Sequence, residues 1–288
     1  MNAVLHNEPM SKHTSWRLGG PADVYFRPDS VDALCDFLRE LNDGVQVYWT
    51  GVGSNLLVRD GGIRGVVISP VASLGNLERH DAGLVEAGAG VPCTVLARRC
   101  TRWGLGPAEF FAGIPGTVGG ALKMNAGAFG GETWDRVIEV DTVDRHGNIR
   151  TRAKSDFDVS YRQVGGPVDE WFVSARFQFV QQAEIRLERV QELMKERQQK
   201  QPLGLPSCGS VFRNPPGHYA AQLIEASELK GHRIGGAVVS EKHANFIINT
   251  GDATAADVEA LIEYVRRTVA ERQGVTLELE VHIVGEQA

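Results

Sequence analysis

The sequence predicts a mixed fold of helices and strands divided among two or three subdomains. Three observations carry that expectation. The chain has 288 residues, more than one hydrophobic core comfortably organises. Apolar residues recur at helical spacing in some stretches and alternate in others. Between them lie glycine-rich segments, where each glycine costs conformational entropy and offers no side chain to pack.

Taken in order, Asp29 or Ser30 can cap a helix with Val31, Leu34, Leu38 and Leu41 on one face, stopped by Gly44. VQVYWT (45–50) reads as a strand running into GVGSNLL (51–57), and GVVISP (65–70) as a second strand, a β-α-β start. LVEAGAGV, from Leu84, reads as a strand and turn, and VPCTVLARRCTRWG (91–104) as a short helix closed by Gly104. AGIPGTVGGALKMNAGAFGG (112–131) follows, with seven glycines in twenty residues and Lys123 as its single charge; it is expected to form small-residue loops in series. VIEVDTVDRHGNIRT (137–151) reads as a hairpin turning at His146-Gly147-Asn148. Tyr161-Arg162 falls in a loop, and EWFVSARFQFV (170–180) alternates, with Trp171, Val173, Ala175, Phe177 and Phe179 on one side.

Glu184–Lys200 reads as a charged helix with a thin stripe of Ile185, Val190, Leu193 and Met194, ended by Gln201-Pro202. The main boundary is expected near 180–183. Beyond it come SCGSVFRNPPG, a helix around Tyr219–Leu229 and a strand HANFIINT (243–250). Thr254 can cap a long helix with Val258, Leu261, Ile262, Val265 and Val269 at helical spacing and Gly274 as terminator. The last strand, VTLELEVHIV (275–284), puts Leu277, Leu279, Val281 and Ile283 inward and Glu278, Glu280 and His282 on the other face.

A formal net charge of −6 argues against general nucleic-acid binding, which needs a basic face. Cys35, Cys93, Cys100 and Cys208 show no CxxC spacing and no zinc-type cluster, so free thiols in a reducing compartment are expected. The start of the chain lacks the apolar core of a signal peptide, and the least polar run, Phe110–Leu122, is too short and glycine-rich to span a bilayer. The expectation is a cytoplasmic protein with no nucleic-acid and no membrane partner.

Chemistry is suggested first by the glycine loops. In GVGSNLL, after a strand, backbone N–H groups and a serine hydroxyl can cradle phosphate oxygens. The pattern is neither a Rossmann fingerprint nor a P-loop. Pro115-Gly116-Thr117-Val118-Gly119-Gly120 again joins tight turns to a hydroxyl, and Asn125–Gly130 repeats the theme. Together they suit a long diphosphate ligand such as a dinucleotide; a compact turn-rich subdomain is the plain alternative. Tyr161-Arg162 by itself reads as a surface pair, Ser210 as a turn residue outside any GxSxG elbow, and Glu280 as a solvent-facing neighbour of Glu278.

Seven segments in sequence resemble one family. They are TSWRLGGPADVYF (14–26), GVGSNLL (51–57), GIPGTVGGALKMNAGAFG (113–130), SYR (160–162), QPLGLPSCGSVFRNP (201–215), SEKHANFIIN (240–249) and LELEVHIVG (277–285). The family is that of UDP-N-acetylenolpyruvoylglucosamine reductase. The resemblance implies an α+β fold. Two FAD-binding subdomains of the vanillyl-alcohol-oxidase (PCMH) type occupy 1–70 and 71–182, and a substrate-binding domain 183–288, whose last strand could return to the FAD-binding part. It implies FAD, NADPH as hydride donor, and a UDP-sugar substrate whose enolpyruvyl group is reduced in peptidoglycan precursor synthesis. Covalent flavin attachment uses histidine or cysteine, and neither lies in GVGSNLL or GTVGGA, which favours noncovalent FAD. A monomer is favoured.

Carried over residue by residue, the resemblance assigns the cofactor to Gly51, Gly53, Ser54, Asn55, Leu56, Pro115, Gly116, Thr117, Gly119, Gly120, Asn125 and Gly127. Arg162, Ser210 and Glu280 fall on catalytic positions. Tyr161, Lys200 and Asn214 fall on or near substrate-contacting ones, and Arg197 on one that meets a phosphate. Strand alternation leaves Glu278 and Glu280 equivalent; the family's register favours Glu280. Val164 stands where many members have serine, and Cys208 where alanine is common, for which a structural role is expected. The short stretch between Gly131 and Arg162 is similar to a compact subtype without an extra tyrosine-bearing substrate loop. A flavin oxidase of the same fold is the alternative. A non-catalytic flavin or UDP-sugar sensor would keep the glycine loops but could dispense with Arg162, Ser210 or Glu280.

Overall fold

The structure, a computed structural model, describes residues 3–182, 184 and 186–288. Ile185, expected in the helical stripe, and Ala183, at the expected boundary, lie outside the described residues. The chain forms two compact units: Met1–Val4, Tyr25–Gly51 and Val67–Arg197 make the first, and Leu5–Val24, Val52–Val66 and Gln198–Ala288 the second. A four-stranded sheet has the order Ala3–Pro9, Pro21–Arg27, Ile63–Ile68, Val47–Trp49.

In the first unit, helix α1 (Val31–Glu40) starts where the Ser30 hydroxyl accepts the Ala33 amide at 3.1 Å, so Ser30 rather than Asp29 is the cap. Leu34 and Leu38 are buried as the spacing predicts. An antiparallel five-stranded sheet follows, in the order Ile149–Ala153, Val137–Asp144, Glu170–Gln178, Leu84–Gly88, Leu77–Arg79. The central strand buries Val173, Ala175 and Phe177, with Phe179 just beyond it, in line with its alternation. Helix α2 (Cys93–Arg102) lends Leu96, Ala97 and Cys100 to the same core as Phe111, Leu122 and Trp134.

The glycine-rich segment departs from expectation: it holds a helix, α3 (Val118–Met124), as well as loops. Its glycines sit where they cost least. Gly119 and Gly120 fall in the first turn, while Val118, Ala121 and Leu122 supply a buried face. A Cβ on Gly119 would stand 3.0 Å from that of Ala89, so a side chain there would press on Ala89. Asn125 ends the helix in the left-handed region at φ +43°, a place usually taken by glycine. Helix α4 (Leu187–Lys200) buries Val190 and Leu193, and the chain changes unit within it after Arg197.

The second unit packs helices α5 (Ala220–Ala226) and α6 (Ala255–Gln273) with a three-stranded antiparallel sheet, Arg233–Ile234, Ala237–Val239, Ile247–Asn249. Trp16, Leu57, Phe212, Ile224, Leu261 and Val265 lie in one core, and Trp16 Nε1 donates to the Ile247 carbonyl at 2.7 Å. Thr254 and Asp257 cap α6 reciprocally, and Gly274 closes it at φ +68°, as the sequence predicts.

The last strand is shorter than its alternation suggests. Only His282–Val284 pairs regularly, parallel to Leu56–Val58, and Leu279 makes a single bridge to Phe212. Leu277 and Val281 are still buried, but between them the Glu280 main chain is bound by the Val211 carbonyl and the Asn55 side chain instead of a neighbouring strand. Among the described residues, no helix is long and apolar enough to cross a membrane.

The 144–148 turn gives a pH-dependent test of the first unit. Burial opposes the charge of Asp144. The main-chain and side-chain amides of Asn148, the His146 amide and Arg150 outweigh it and hold the carboxyl down to about 2. A depressed carboxyl contributes stability that is complete above the ordinary value of about 4 and is lost as pH falls through the folded value. Urea unfolding of Asp144→Asn is therefore expected to show a loss of about 1–2 kcal/mol at neutral pH, shrinking as pH falls from about 4 towards 2.

Candidate active site

The loop after Val47–Trp49 is built by close approach. Gly53 has φ +62°, and a Cβ there would lie 2.1 Å from the His13 carbonyl oxygen. The Gly53 carbonyl accepts the Ser15 amide at 3.1 Å. The amides of Val52, Gly53 and Ser54 have no hydrogen-bond partner among the described residues. Asn55 fixes the far end: Nδ2 donates to the Glu280 carbonyl at 2.8 Å, and its own carbonyl accepts the His282 amide at 3.1 Å. Leu56 opens the strand paired with His282.

Gly51 meets the second glycine segment, since a Cβ on it would lie 2.7 Å from Thr117 Oγ1. Thr117 precedes α3 without capping it through its side chain. The Gly116 amide turns back to Ile114 and that of Gly119 to Ala89, but those of Thr117 and Gly120 have no partner among the described residues. Pro115 is exposed beside them. Unspent amides, a hydroxyl and backbone without Cβ atoms are what a dinucleotide diphosphate takes.

Downstream, Asn125 is buried and fully engaged. Its Oδ1 accepts the Trp134 amide at 3.1 Å, and Nδ2 donates to Glu132 at 2.8 Å and to the Ser160 carbonyl at 3.1 Å. Arg162 sits at φ +57° in the turn between Asp158–Ser160 and Gln163–Gly165. Its guanidinium donates to the carbonyls of Asn125 (3.2 Å) and Gly127 (3.0 Å) and lies 3.6 Å from Glu132. It also lies 4.8 Å from the centre of the half-exposed Tyr161 ring. The first unit thus brings Asn125, Gly127, Tyr161 and Arg162 together.

The second unit brings the segments of Ser210 and Glu280 together. Phe212 bridges Leu279, the Glu280 amide donates to Val211 at 2.8 Å, and the Arg213 amide donates to Glu278 at 2.9 Å. Glu278 is exposed and Glu280 half-buried, a difference that alternation alone could not show. Cys208 is 3% exposed, with its thiol donating to Leu56 (3.4 Å) and Gly53 (3.8 Å). Burial raises its pKa far above the ordinary value, so it packs as an inert thiol, in line with its expected structural role.

The remaining candidates are more scattered. Arg197 and Lys200 lie one turn apart on α4, the first half-buried, with burial pulling its pKa down, and the second exposed. Asn214 is exposed, and its Oδ1 accepts the Ala220 amide at the start of α5 at 3.0 Å. Two residues escaped sequence reasoning: Glu132, which ties Asn125 to Arg162, and Asn245, whose side chain holds both main-chain groups of Phe212. Neither belongs to a periodic pattern, and only Asn245 lies in a family-like segment, SEKHANFIIN (240–249).

Residues 22–152 match the family model described as FAD binding domain, which defines the class: an α+β flavin-binding protein. Residues 201–284 match the model for the C-terminal domain of UDP-N-acetylenolpyruvoylglucosamine reductase. The reductase of Alkalilimnicola ehrlichii is 59% identical over 284 residues, covering 98% of this chain and 95% of the relative. That of Methylococcus capsulatus is 54% identical, covering 98% and 93%. The crystal structure of the Thermus caldophilus enzyme superposes with a TM-score of 0.82 at 31% identity, covering 98% of both chains. The chain belongs to the UDP-N-acetylenolpyruvoylglucosamine reductase family, and the α+β class expected from its motifs is the one it has.

Gly53 tests the close approach. Gly53→Ala is expected to cost about 1–3 kcal/mol in urea unfolding, because a side chain would meet the His13 carbonyl in a left-handed conformation. Gly44→Ala, where a Cβ meets nothing within 4 Å, is the matched control. It is expected to stay within about 0.5 kcal/mol of the parent.

Proposed function

We propose that this protein reduces the enolpyruvyl group of UDP-N-acetylglucosamine enolpyruvate with NADPH, giving UDP-N-acetylmuramate for peptidoglycan precursor synthesis. The observation that carries the reading is identity of 54–59% to named reductases over nearly the whole chain. The oxidase alternative gains no support from those relatives. We place the reaction in the cytoplasm, where free thiols such as the four buried cysteines persist, and treat the working form as a monomer.

The backbone of 51–56 and of 115–120 would hold FAD noncovalently, and the bound flavin would supply the hydride equivalent that NADPH provides. The chain's own groups meet the charge that results. Reduction of the enolpyruvyl group builds negative charge towards its carboxylate. Arg162 binds and polarises that carboxylate through charge-assisted hydrogen bonds. Its hold on the Asn125 and Gly127 carbonyls keeps the guanidinium oriented before substrate arrives. Glu280 assists by hydrogen bonding, and the Ser210 hydroxyl donates the proton at C2. Serine is a weak acid, so this step calls for a desolvated hydroxyl and a strongly basic developing carbanion. Tyr161, Arg197 and Lys200 contact the UDP-sugar in the same reading. Asn214 would do so through its amide nitrogen, since its oxygen already serves α5.

Rapid mixing of each half-reaction tests the assignment. Ser210→Ala is expected to keep flavin reduction by NADPH and to lose about 10²–10⁴ in the rate of substrate reduction. Equal losses in both halves would remove Ser210 from the proton-donor role. A purified chain that takes up no FAD would end the flavoenzyme reading altogether.

A further inference from the structure

The segment around Ser210 poses a mechanical problem. Gly209, immediately before it, has φ +73°, and a Cβ there would meet nothing within 4 Å, so this side offers little restraint. The restraint comes from the residues after it. Val211 and Phe212 are each 1% exposed, yet they belong to no regular strand; among the described residues one bridge, Phe212 to Leu279, is all the strand pairing they have. One edge of this stretch is bound by the Glu278–Glu280 main chain.

Asn245 binds the other edge. Its main-chain carbonyl accepts the Val211 amide at 2.9 Å, Oδ1 accepts the Phe212 amide at 3.0 Å, and Nδ2 donates to the Phe212 carbonyl at 2.8 Å. At 3% exposure these bonds are out of competition with water. A side-chain amide donates and accepts at once, so it can stand in for a strand partner beside a single residue. Aspartate has the same shape but sets a second acceptor against the Phe212 carbonyl. We infer that Asn245 is a positioning residue for the proton transfer: it fixes the main chain at Phe212 and thereby the place of the Ser210 hydroxyl. This rests on the function proposed above.

A double-mutant cycle with each half-reaction measured tests it. Asn245→Asp lowers the rate of substrate reduction about ten- to a hundredfold, the size of effect expected when a reacting group is misplaced by an ångström or less. Flavin content and reduction by NADPH stay at parent values, and KM for the UDP-sugar moves less than kcat. The deficit narrows as pH falls, because a protonated carboxyl can again donate to the Phe212 carbonyl. In a Ser210→Ala background the same change costs less than about twofold, since a residue acting through Ser210 has nothing left to position. Independent losses in the two backgrounds, or a parent-like rate in Asn245→Asp, overturn the inference. Parent-like substrate reduction in Ser210→Ala alone overturns the proton-donor reading instead, and the inference with it. Should Asn245→Asp fail to fold, Asn245→Ser, which keeps a neutral acceptor, runs through the same cycle with the same criteria.

Discussion

A backbone that is to grip a phosphate must keep its amides unspent, while nearly every other buried polar group in the fold finds a partner. The 51–55 loop meets that requirement by bracing itself from behind. The Gly53 carbonyl takes the Ser15 amide and its Cα presses on His13; the Cys208 thiol lies under Gly53 and Leu56; Asn55 is tied to the Glu280 carbonyl. The amides of Val52, Gly53 and Ser54 are left over by this bracing. A side chain at Gly53 would collide with the brace, so the glycine is set by the carbonyl it touches as much as by its dihedral angle.

In the first unit the same economy governs charge. A half-buried guanidinium is costly unless it is hydrogen-bonded. Arg162 meets that cost with two carbonyls from the glycine segment and a carboxylate, Glu132, that is itself anchored by Asn125. The left-handed backbone of Arg162 and of Asn125 is kept by this mutual bonding. Arg162 and the glycine segment are therefore one packed structure here, not a loop placed beside an arginine.

Periodicity read the elements that repeat. The α6 stripe, its Thr254 cap and its Gly274 stop are all where spacing put them, and so are α1 and the strand Glu170–Gln178. It misread the parts where repetition gives way. In 112–131 glycine content hid α3, because the helix needs only Val118, Ala121 and Leu122 on one face and tolerates glycine at its entrance. In 277–281 alternation of burial survived without regular strand pairing, because a side chain and a loop bind the main chain there. The catalytic candidates came from motif order alone. Exposure then separated Glu280 from Glu278, which no pattern of twos could do. Glu132 and Asn245 left no trace in spacing, since their partners fall at no helical or strand period.

Asparagine recurs at these joints for a reason of stereochemistry. Asn55 holds Glu280, Asn125 holds Trp134, Glu132 and Ser160, Asn245 holds Phe212, and Asn249 holds the Trp16 carbonyl. A β-ladder would satisfy the same main-chain groups, but it imposes a pleat with a period of two on everything it binds. The segments 51–55, 125–127 and 207–213 do not follow that period. A side-chain amide satisfies a donor and an acceptor at a single point and leaves the residues on either side free of the pleat. The irregular conformations of 51–55, 125–127 and 207–213 are thus held with the order of a sheet and without its geometry.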